Sequence, residues 1–130
     1  MDNLHRELLI EHYKHPQNFG KIEGAEIVKL DKNPLCGDTI EYYLKLDEDK
    51  QTITDAKFQG KGCSICMASA SMLSEELPQK KITEVQEWGA EFVKDMIQIK
   101  LTPPRLRCAM LSLMAVKKGI IEYQSEGEKK

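Results

Sequence analysis

The sequence predicts an α+β domain in which a small antiparallel sheet precedes a group of helices. Three short stretches of β-forming residues occupy the first half of the chain, and segments with helical spacing of apolar residues occupy the second half. Strands followed by helices, rather than alternating with them, favour this class. A chain of 130 residues with 41% hydrophobic residues fits one domain, spanning 1–130, with a single core.

The first half is predicted to form one helix and three strands. Apolar spacing indicates a helix from Leu4 to Tyr13, and His15-Pro16 ends it because the residue before proline avoids the helical conformation. The second and third strands, joined by a polar turn, form an antiparallel hairpin that the first strand extends. The predicted strands span residues 25–30, 39–46 and 52–58.

The second half is predicted to contain three helices. The first runs from Ser64 to Leu77, before Pro78. The second begins at Thr83, whose side chain fits a capping box with Gln86, and continues to about residue 97. The third has Pro104 in its first turn and closes at Gly119, and the polar residues from about 122 to 130 are expected to be a disordered tail.

Charge and hydropathy exclude several function classes. The net charge of -2 provides no basic field, so nucleic-acid binding is not expected. No apolar run is long enough to span a membrane, and the polar start of the chain does not resemble a secretory signal. These features predict a cytoplasmic protein.

Four cysteines are the candidate functional residues, namely Cys36, Cys63, Cys66 and Cys108. In a reducing compartment such cysteines are free, metal-binding or catalytic, although a buried cysteine can also be a small hydrophobic residue without chemistry. Cys36 lies in a predicted turn with Gly37, and Asp38 adds a hard oxygen two residues later. The alternative is that Asp38 only caps its own turn.

The other two settings are predicted helix starts. Cys63 follows Gly62, which allows close backbone approach, and Cys108 follows Arg107. A helix N-terminus carries partial positive charge and favours a thiolate. Arg107 would add positive charge, or it is only a solvated surface residue. Three thiolates and a carboxylate bind zinc or iron, so these residues indicate a soft-metal or sulfur-handling site, and their Gly-flanked settings look exposed.

Four motifs in order along the chain resemble the IscU/SufU family of iron–sulfur scaffolds, also called NifU-like N-terminal domains. They occupy residues 11–18, 33–38, 58–72 and 103–111. The resemblance implies a SufE/NifU-like fold with Cys36, Asp38, Cys63 and Cys108 grouped at one exposed end. It also implies a scaffold rather than an enzyme, as a monomer or a cluster-bridged dimer.

The resemblance further implies a sequence of events at that site. A cysteine desulfurase delivers persulfide sulfur, with Cys108 as acceptor, and iron then enters. A labile cluster forms, most often [2Fe–2S], and passes to acceptor proteins. Zn²⁺ occupies the same ligands when no cluster is present.

Two departures from the family pattern leave a second interpretation open. Arg107 stands where the IscU branch has histidine, and a basic residue there resembles the SufU branch, some members of which are zinc-bound sulfur acceptors. The 45-residue step from Cys63 to Cys108 is short for the insertion of that branch. The alternative function is therefore a zinc-dependent sulfurtransferase.

The IscU branch also carries a Leu-Pro-Pro-Val-Lys chaperone motif before the third cysteine. Residues 101–105 only partly resemble this motif, so recognition by an Hsp70-type chaperone is expected to be weak or absent.

Cys66 makes a C-x-x-C pair with Cys63, where the family more often has serine. It is an alternative ligand, a resolving thiol or a buried passenger, and the passenger interpretation is favoured here. A thiol–disulfide oxidoreductase is a further class, disfavoured because the pair does not lie in a βαβ pattern.

Overall fold

The computed structural model describes residues 2–34 and 37–128 and confirms the predicted α+β fold with a three-stranded antiparallel sheet. The predicted ligand Cys36 lies outside the described residues. The elements are α1 (Asp2–Lys14), β1 (Ile27–Asn33), β2 (Asp38–Leu46), β3 (Ile53–Lys61), α2 (Ser64–Glu76), α3 (Ile82–Gln86), α4 (Ala90–Ile97) and α5 (Pro103–Glu128).

The sheet has the order β1-β2-β3, and one of its faces forms the wall of the core. Side chains alternate between the two faces of a strand, so every second residue of β2 points to the helices. Those residues are Ile40, Tyr42 and Leu44, each at most 1% exposed, and Phe58 of β3 is buried beside Tyr42 with the rings 5.7 Å apart. Both edges of β2 are paired, and this fixes the position of its first residue, Asp38.

Helix α5 crosses β1 and carries the end of the chain. A Cβ atom at Gly119 would lie 2.8 Å from Cγ2 of Ile27, so glycine permits close approach of helix and strand. The prediction that Gly119 ends this helix is wrong, because tertiary packing and not capping requires the glycine. The helix continues to Glu128, so residues 122–128, predicted as a tail, are helical, and Glu122 bonds to Lys29 of β1 at 2.8 Å.

Helix α2 is buried between α1 and α5, and two of its serines form hydrogen bonds with these neighbours. Ser69 Oγ donates to the carbonyl of Ala109 at 2.7 Å, which ties α2 to α5. Ser71 Oγ lies 2.7 Å from Nδ1 of His12 and accepts the backbone amide of Gln17 at 2.8 Å. His12 is buried, and this contact holds α1 against α2.

The predicted helix from Thr83 to about residue 97 is two helices. Helix α3 begins after Lys81, without a side-chain cap, and Gly89 interrupts the segment with an extended backbone. The capping-box signal at Thr83 is thus wrong. Trp88 and Phe92 stack across the junction with ring centroids 3.8 Å apart. Within the described part of the chain, no helix is long and apolar enough to cross a membrane.

Candidate metal and sulfur site

Three predicted ligands meet at the end of the sheet where β2 and α2 begin. Asp38 is the first residue of β2, Cys63 is the N-cap of α2, and Cys108 lies in the second turn of α5. One carboxylate oxygen and the two sulfur atoms all lie within 4.8 Å of one another. Residues separated by up to 70 positions along the chain are thus brought together by three element starts.

Asp38 is 3% exposed and only partly satisfied. Its register partner in β1 is Asn33, at the closing end of the hairpin, and its side chain lies on the core side with Ile40. Oδ1 accepts the backbone amide of Cys63 at 3.3 Å, whereas Oδ2 has no hydrogen-bond partner among the described residues. Buried carboxylate oxygens are normally paired, so Oδ2 needs a cation or a donor from outside.

Cys63 is the half-exposed member of the group. It adopts extended backbone angles, φ -68° and ψ 168°, and its Sγ accepts the backbone amide of Cys66 at 3.4 Å. The amide groups of a first helical turn lack partners within the helix, so this sulfur fills the place of a capping oxygen. The prediction of a cysteine at a helix start is confirmed here.

Gly62 permits the close packing beneath Cys63. A Cβ atom at this position would lie 3.1 Å from the carboxyl carbon of Asp38 and 3.1 Å from Sγ of Cys66. Contacts this short force neighbouring atoms to move. The other predicted supporting glycine, Gly37, has φ +74°, a conformation that glycine adopts without strain.

Cys108 is buried, at 3% exposed, so the expectation that all the cysteine settings are exposed is wrong. The cause is that α5 packs Cys108 inward, next to Ala109 at the α2–α5 contact. Nδ2 of Asn33 lies 4.0 Å from the Cys108 sulfur, a contact that sequence reasoning missed. The strand register could have indicated this contact, because it pairs Asn33 with Asp38 and so places Asn33 next to the site.

The remaining predicted residues lie near the group but outside it. Cys66 is fully buried, and among the described residues the set that can hold a metal contains Asp38, Cys63 and Cys108 only. Arg107 is exposed, next to Cys108. It lies on an open groove of about 450 Å³ beside α5, whose apolar lining includes Leu106 and Met110.

The donor set fits a thiophilic metal. Zinc takes four ligands at about 2.3 Å for sulfur and about 2.0 Å for oxygen, which corresponds to ligand atoms roughly 4 Å apart. The ligand atoms of Asp38, Cys63 and Cys108, all within 4.8 Å of one another, are close to this spacing. The orphaned Oδ2 of Asp38 is the buried polar atom that such an ion would satisfy.

Comparison with known proteins gives a consistent result. Residues 4–130 match the family model described as the NifU-like N-terminal domain. The chain is 36% identical to the zinc-dependent sulfurtransferase SufU of Bacillus subtilis, with 95% of this chain and 94% of that protein covered. It is 30% identical to the iron–sulfur cluster assembly scaffold protein IscU of Escherichia coli, with 95% and 97% covered.

Solved structures show the same fold. A candidate iron–sulfur cluster assembly scaffold protein of the SUF system from Fervidobacterium islandicum superposes with a TM-score of 0.75 at 27% identity, covering 88% of this chain and 94% of that one. A NifU-like N-terminal protein from Brucella abortus reaches 0.73 at 18% identity, covering 95% and 96%, a likeness that shows the fold alone. The resemblance predicted from the motifs is therefore confirmed.

Proposed function

This chain belongs to the family of NifU-like N-terminal domains, and we propose that it is a scaffold on which a labile iron–sulfur cluster is assembled and from which it is passed on. The observation that supports this most directly is the grouping of two cysteine sulfurs with a buried, half-satisfied carboxylate. Cysteine thiolates are the usual ligands of such clusters. Cys36 completes the proposed set with Asp38, Cys63 and Cys108.

Three of the proposed ligands have distinct parts in the assembly. Cys108 accepts the persulfide sulfur, and Cys63, with its sulfur within 4.8 Å, provides the adjacent thiolate. The first-turn amides of α2 favour negative charge at Cys63. Asp38 supplies an oxygen that binds iron more weakly than sulfur does, which suits a cluster that must leave. The cluster is [2Fe–2S] in this proposal, and Zn²⁺ holds the site in the cluster-free protein.

The proposed partners are a cysteine desulfurase, which provides the sulfur, and acceptor proteins, which remove the cluster. Only Cys63 of the three described site residues is half-exposed, whereas Asp38 and Cys108 are buried. Productive contact with the desulfurase therefore requires the start of α5 to move enough to uncover Cys108. The groove beside Arg107 is next to that segment and open to a partner.

A zinc-dependent sulfurtransferase is the second candidate function. It is favoured by Arg107, because a basic residue before the third cysteine resembles the SufU branch. The B. subtilis relative is named a zinc-dependent sulfurtransferase. The alignment with that relative spans 142 positions, more than the 130 residues of this chain, so the relative contains residues that this chain lacks. The absence of those residues from the aligned part of this chain is one reason for placing the scaffold function first.

Anaerobic reconstitution separates the two functions. The protein is incubated with ferrous iron, L-cysteine and a cysteine desulfurase, and visible absorbance and Mössbauer spectra are recorded. The scaffold proposal expects a cluster in the unmodified protein and none in Cys36→Ser, Cys63→Ser or Cys108→Ser. A protein that keeps zinc and carries a persulfide without forming a cluster is instead a sulfur relay.

A further inference from the structure

The pair Cys63 and Cys66 has an arrangement that cluster binding does not use. Cys63 caps α2 and is half-exposed, whereas Cys66, one turn further along, is 0% exposed and, among the described residues, does not belong to the group that can hold a metal. The Cys63 sulfur lies 3.4 Å from the backbone nitrogen of Cys66. That nitrogen is three bonds from the sulfur of Cys66, so the two cysteine side chains lie at the same end of the helix.

The geometry also suits a covalent bond between them. Residues three apart at a helix start are neighbours, at the separation that a disulfide spans. Sγ of Cys66 faces the missing Cβ of Gly62, at 3.1 Å from that position, on the side where Asp38 also lies. The buried sulfur is thus beneath the site and not in the interior of α2 away from it.

We infer that Cys66 is an internal reductant that releases sulfide from a persulfide carried on Cys63. The inference rests on the proposed function, because that function supplies the persulfide. A persulfide sulfur is at the level of elemental sulfur, whereas the cluster contains sulfide, so two electrons must be added per sulfur. The two thiols of a C-x-x-C pair hold those two electrons.

The steps balance as follows. The thiolate of Cys63 attacks the outer sulfur of the Cys108 persulfide, which leaves Cys108 as a thiolate and Cys63 as a persulfide. Cys66 then attacks the Sγ atom of Cys63. The Cys63–Cys66 disulfide forms, the outer S–S bond breaks, and the outer sulfur departs as hydrogen sulfide with the proton of the Cys66 thiol. A dithiol reductant returns the disulfide to two thiols for the next turn.

Cys63 is suited to the middle of this relay. Its sulfur is within 4.8 Å of the Cys108 sulfur on one side and against the first turn of α2 on the other. Because Cys66 is fully buried, small thiols in solution reach it less readily than the neighbouring sulfur does. A buried passenger would form no product, whereas this inference predicts a disulfide between Cys63 and Cys66 and the release of sulfide.

The test measures sulfide released without added reductant. Metal-free protein is loaded by a cysteine desulfurase with L-cysteine, separated anaerobically by gel filtration, and followed by sulfide assay and peptide mass spectrometry. The unmodified protein is expected to release sulfide and to acquire a disulfide joining Cys63 and Cys66. Cys66→Ser and Cys66→Ala are expected to keep the persulfide and to release sulfide more slowly by a factor on the order of ten or more.

Controls distinguish this inference from the proposed function. Thermal unfolding and zinc content show whether each variant is folded with its metal site intact, and two replacements guard against a defect specific to serine. With dithiothreitol present, Cys66→Ser should assemble a cluster to the level of the unmodified protein. If the unmodified protein forms no cluster even then, the proposed function fails, whatever the sulfide assay shows.

Three outcomes would overturn the inference. Sulfide release at the same rate from the Cys66 variants would show that Cys66 is not the reductant. A disulfide joining Cys63 to Cys108 would assign the electrons to a different pair. The absence of any persulfide on the loaded protein would remove the substrate of the step.

Discussion

Replacing Asp38 with alanine should have opposite effects on the metal-free and the metal-bound protein. In the metal-free protein the carboxylate is 3% exposed, and its Oδ2 has no hydrogen-bond partner among the described residues. Leaving such a group buried costs about 1–3 kcal/mol. The variant removes this cost but also loses the 3.3 Å bond from the Cys63 amide, worth about 0.5–1.5 kcal/mol.

The balance is a gain of about 1 kcal/mol for metal-free Asp38→Ala. In a domain of this size that corresponds to an increase in Tm of about 3–5 °C. With zinc present the balance reverses. Losing one of four ligands reduces the affinity by about 100-fold or more, equivalent to about 2.7 kcal/mol of metal-linked stability. The zinc-bound variant should then be less stable than the zinc-bound unmodified protein by about 1–2 kcal/mol.

Thermal unfolding in a chelator and in saturating zinc measures both quantities. A matched control is Asp49→Ala, because Asp49 lies in the β2–β3 turn and accepts bonds from Gln51 and Thr52. Asp49→Ala should lower Tm relative to the unmodified protein by the same amount with and without zinc. If Asp38→Ala lowers Tm equally in both conditions, the orphaned oxygen is not a metal ligand and the reasoning is wrong.

Three further predictions concern the frame around the site. Gly60→Ala should destabilise the fold by about 1–3 kcal/mol in urea unfolding, because a Cβ atom there would clash with the carbonyl oxygen of Thr39. An unchanged midpoint would contradict this. His12→Ala should increase hydrogen exchange of α1 amides while zinc affinity stays unchanged, since the lost contacts with α2 are the 2.7 Å bond to Ser71 and the 3.4 Å approach to Glu75. Unaltered exchange would refute the docking role. Burial of Glu26 alone would raise its pKa, but hydrogen bonds from backbone amides and two neighbouring lysines outweigh it and hold the pKa below the usual value. The stabilisation by ionised Glu26 is therefore present above the unfolded pKa of about 4.5 and is lost as pH falls through the pKa of the folded protein. Glu26→Gln should thus reduce the loss of stability at acid pH. An unchanged loss would show that Glu26 does not contribute to it.

Local signals predicted much of the fold because they act within a few residues. Helix α2 begins at Ser64 as expected and ends at Glu76, one residue before the predicted end, because Pro78 cannot continue it. The β-forming residues predict the sheet, but β3 continues beyond the predicted end at residue 58 to Lys61, through Gly60. Pairing with β2 extends the strand over a glycine that has no preference for it.

Long-range packing accounts for the errors. Gly119 has the sequence pattern of a helix end, yet its purpose is the approach of α5 to Ile27, which lies 92 positions earlier in the chain. His12 is polar and near a helix end, and only the docking of α1 on Ser71 shows that it is buried. In both cases the deciding neighbour is distant in sequence, so no local pattern contains it.

The site was predictable in composition but not in detail. Glycine turns and helix starts identified Asp38, Cys63 and Cys108, and the structure brings these three together. Burial of Cys108 and the approach of Asn33 depend on how α5 packs against β1 and α2, which the sequence does not specify. Cys36 stays a predicted ligand, outside the described residues.

Cluster transfer tests the central claim most directly. The protein is loaded anaerobically with a cluster and mixed with a cluster-free [2Fe–2S] ferredoxin, and visible circular dichroism follows the movement of the cluster. A scaffold with a weak oxygen ligand at Asp38 should deliver its cluster to the ferredoxin, whereas the Asp38→Ala variant, which lacks that ligand, should assemble less cluster. A protein that binds zinc stably, forms no cluster and transfers only persulfide sulfur would contradict the account.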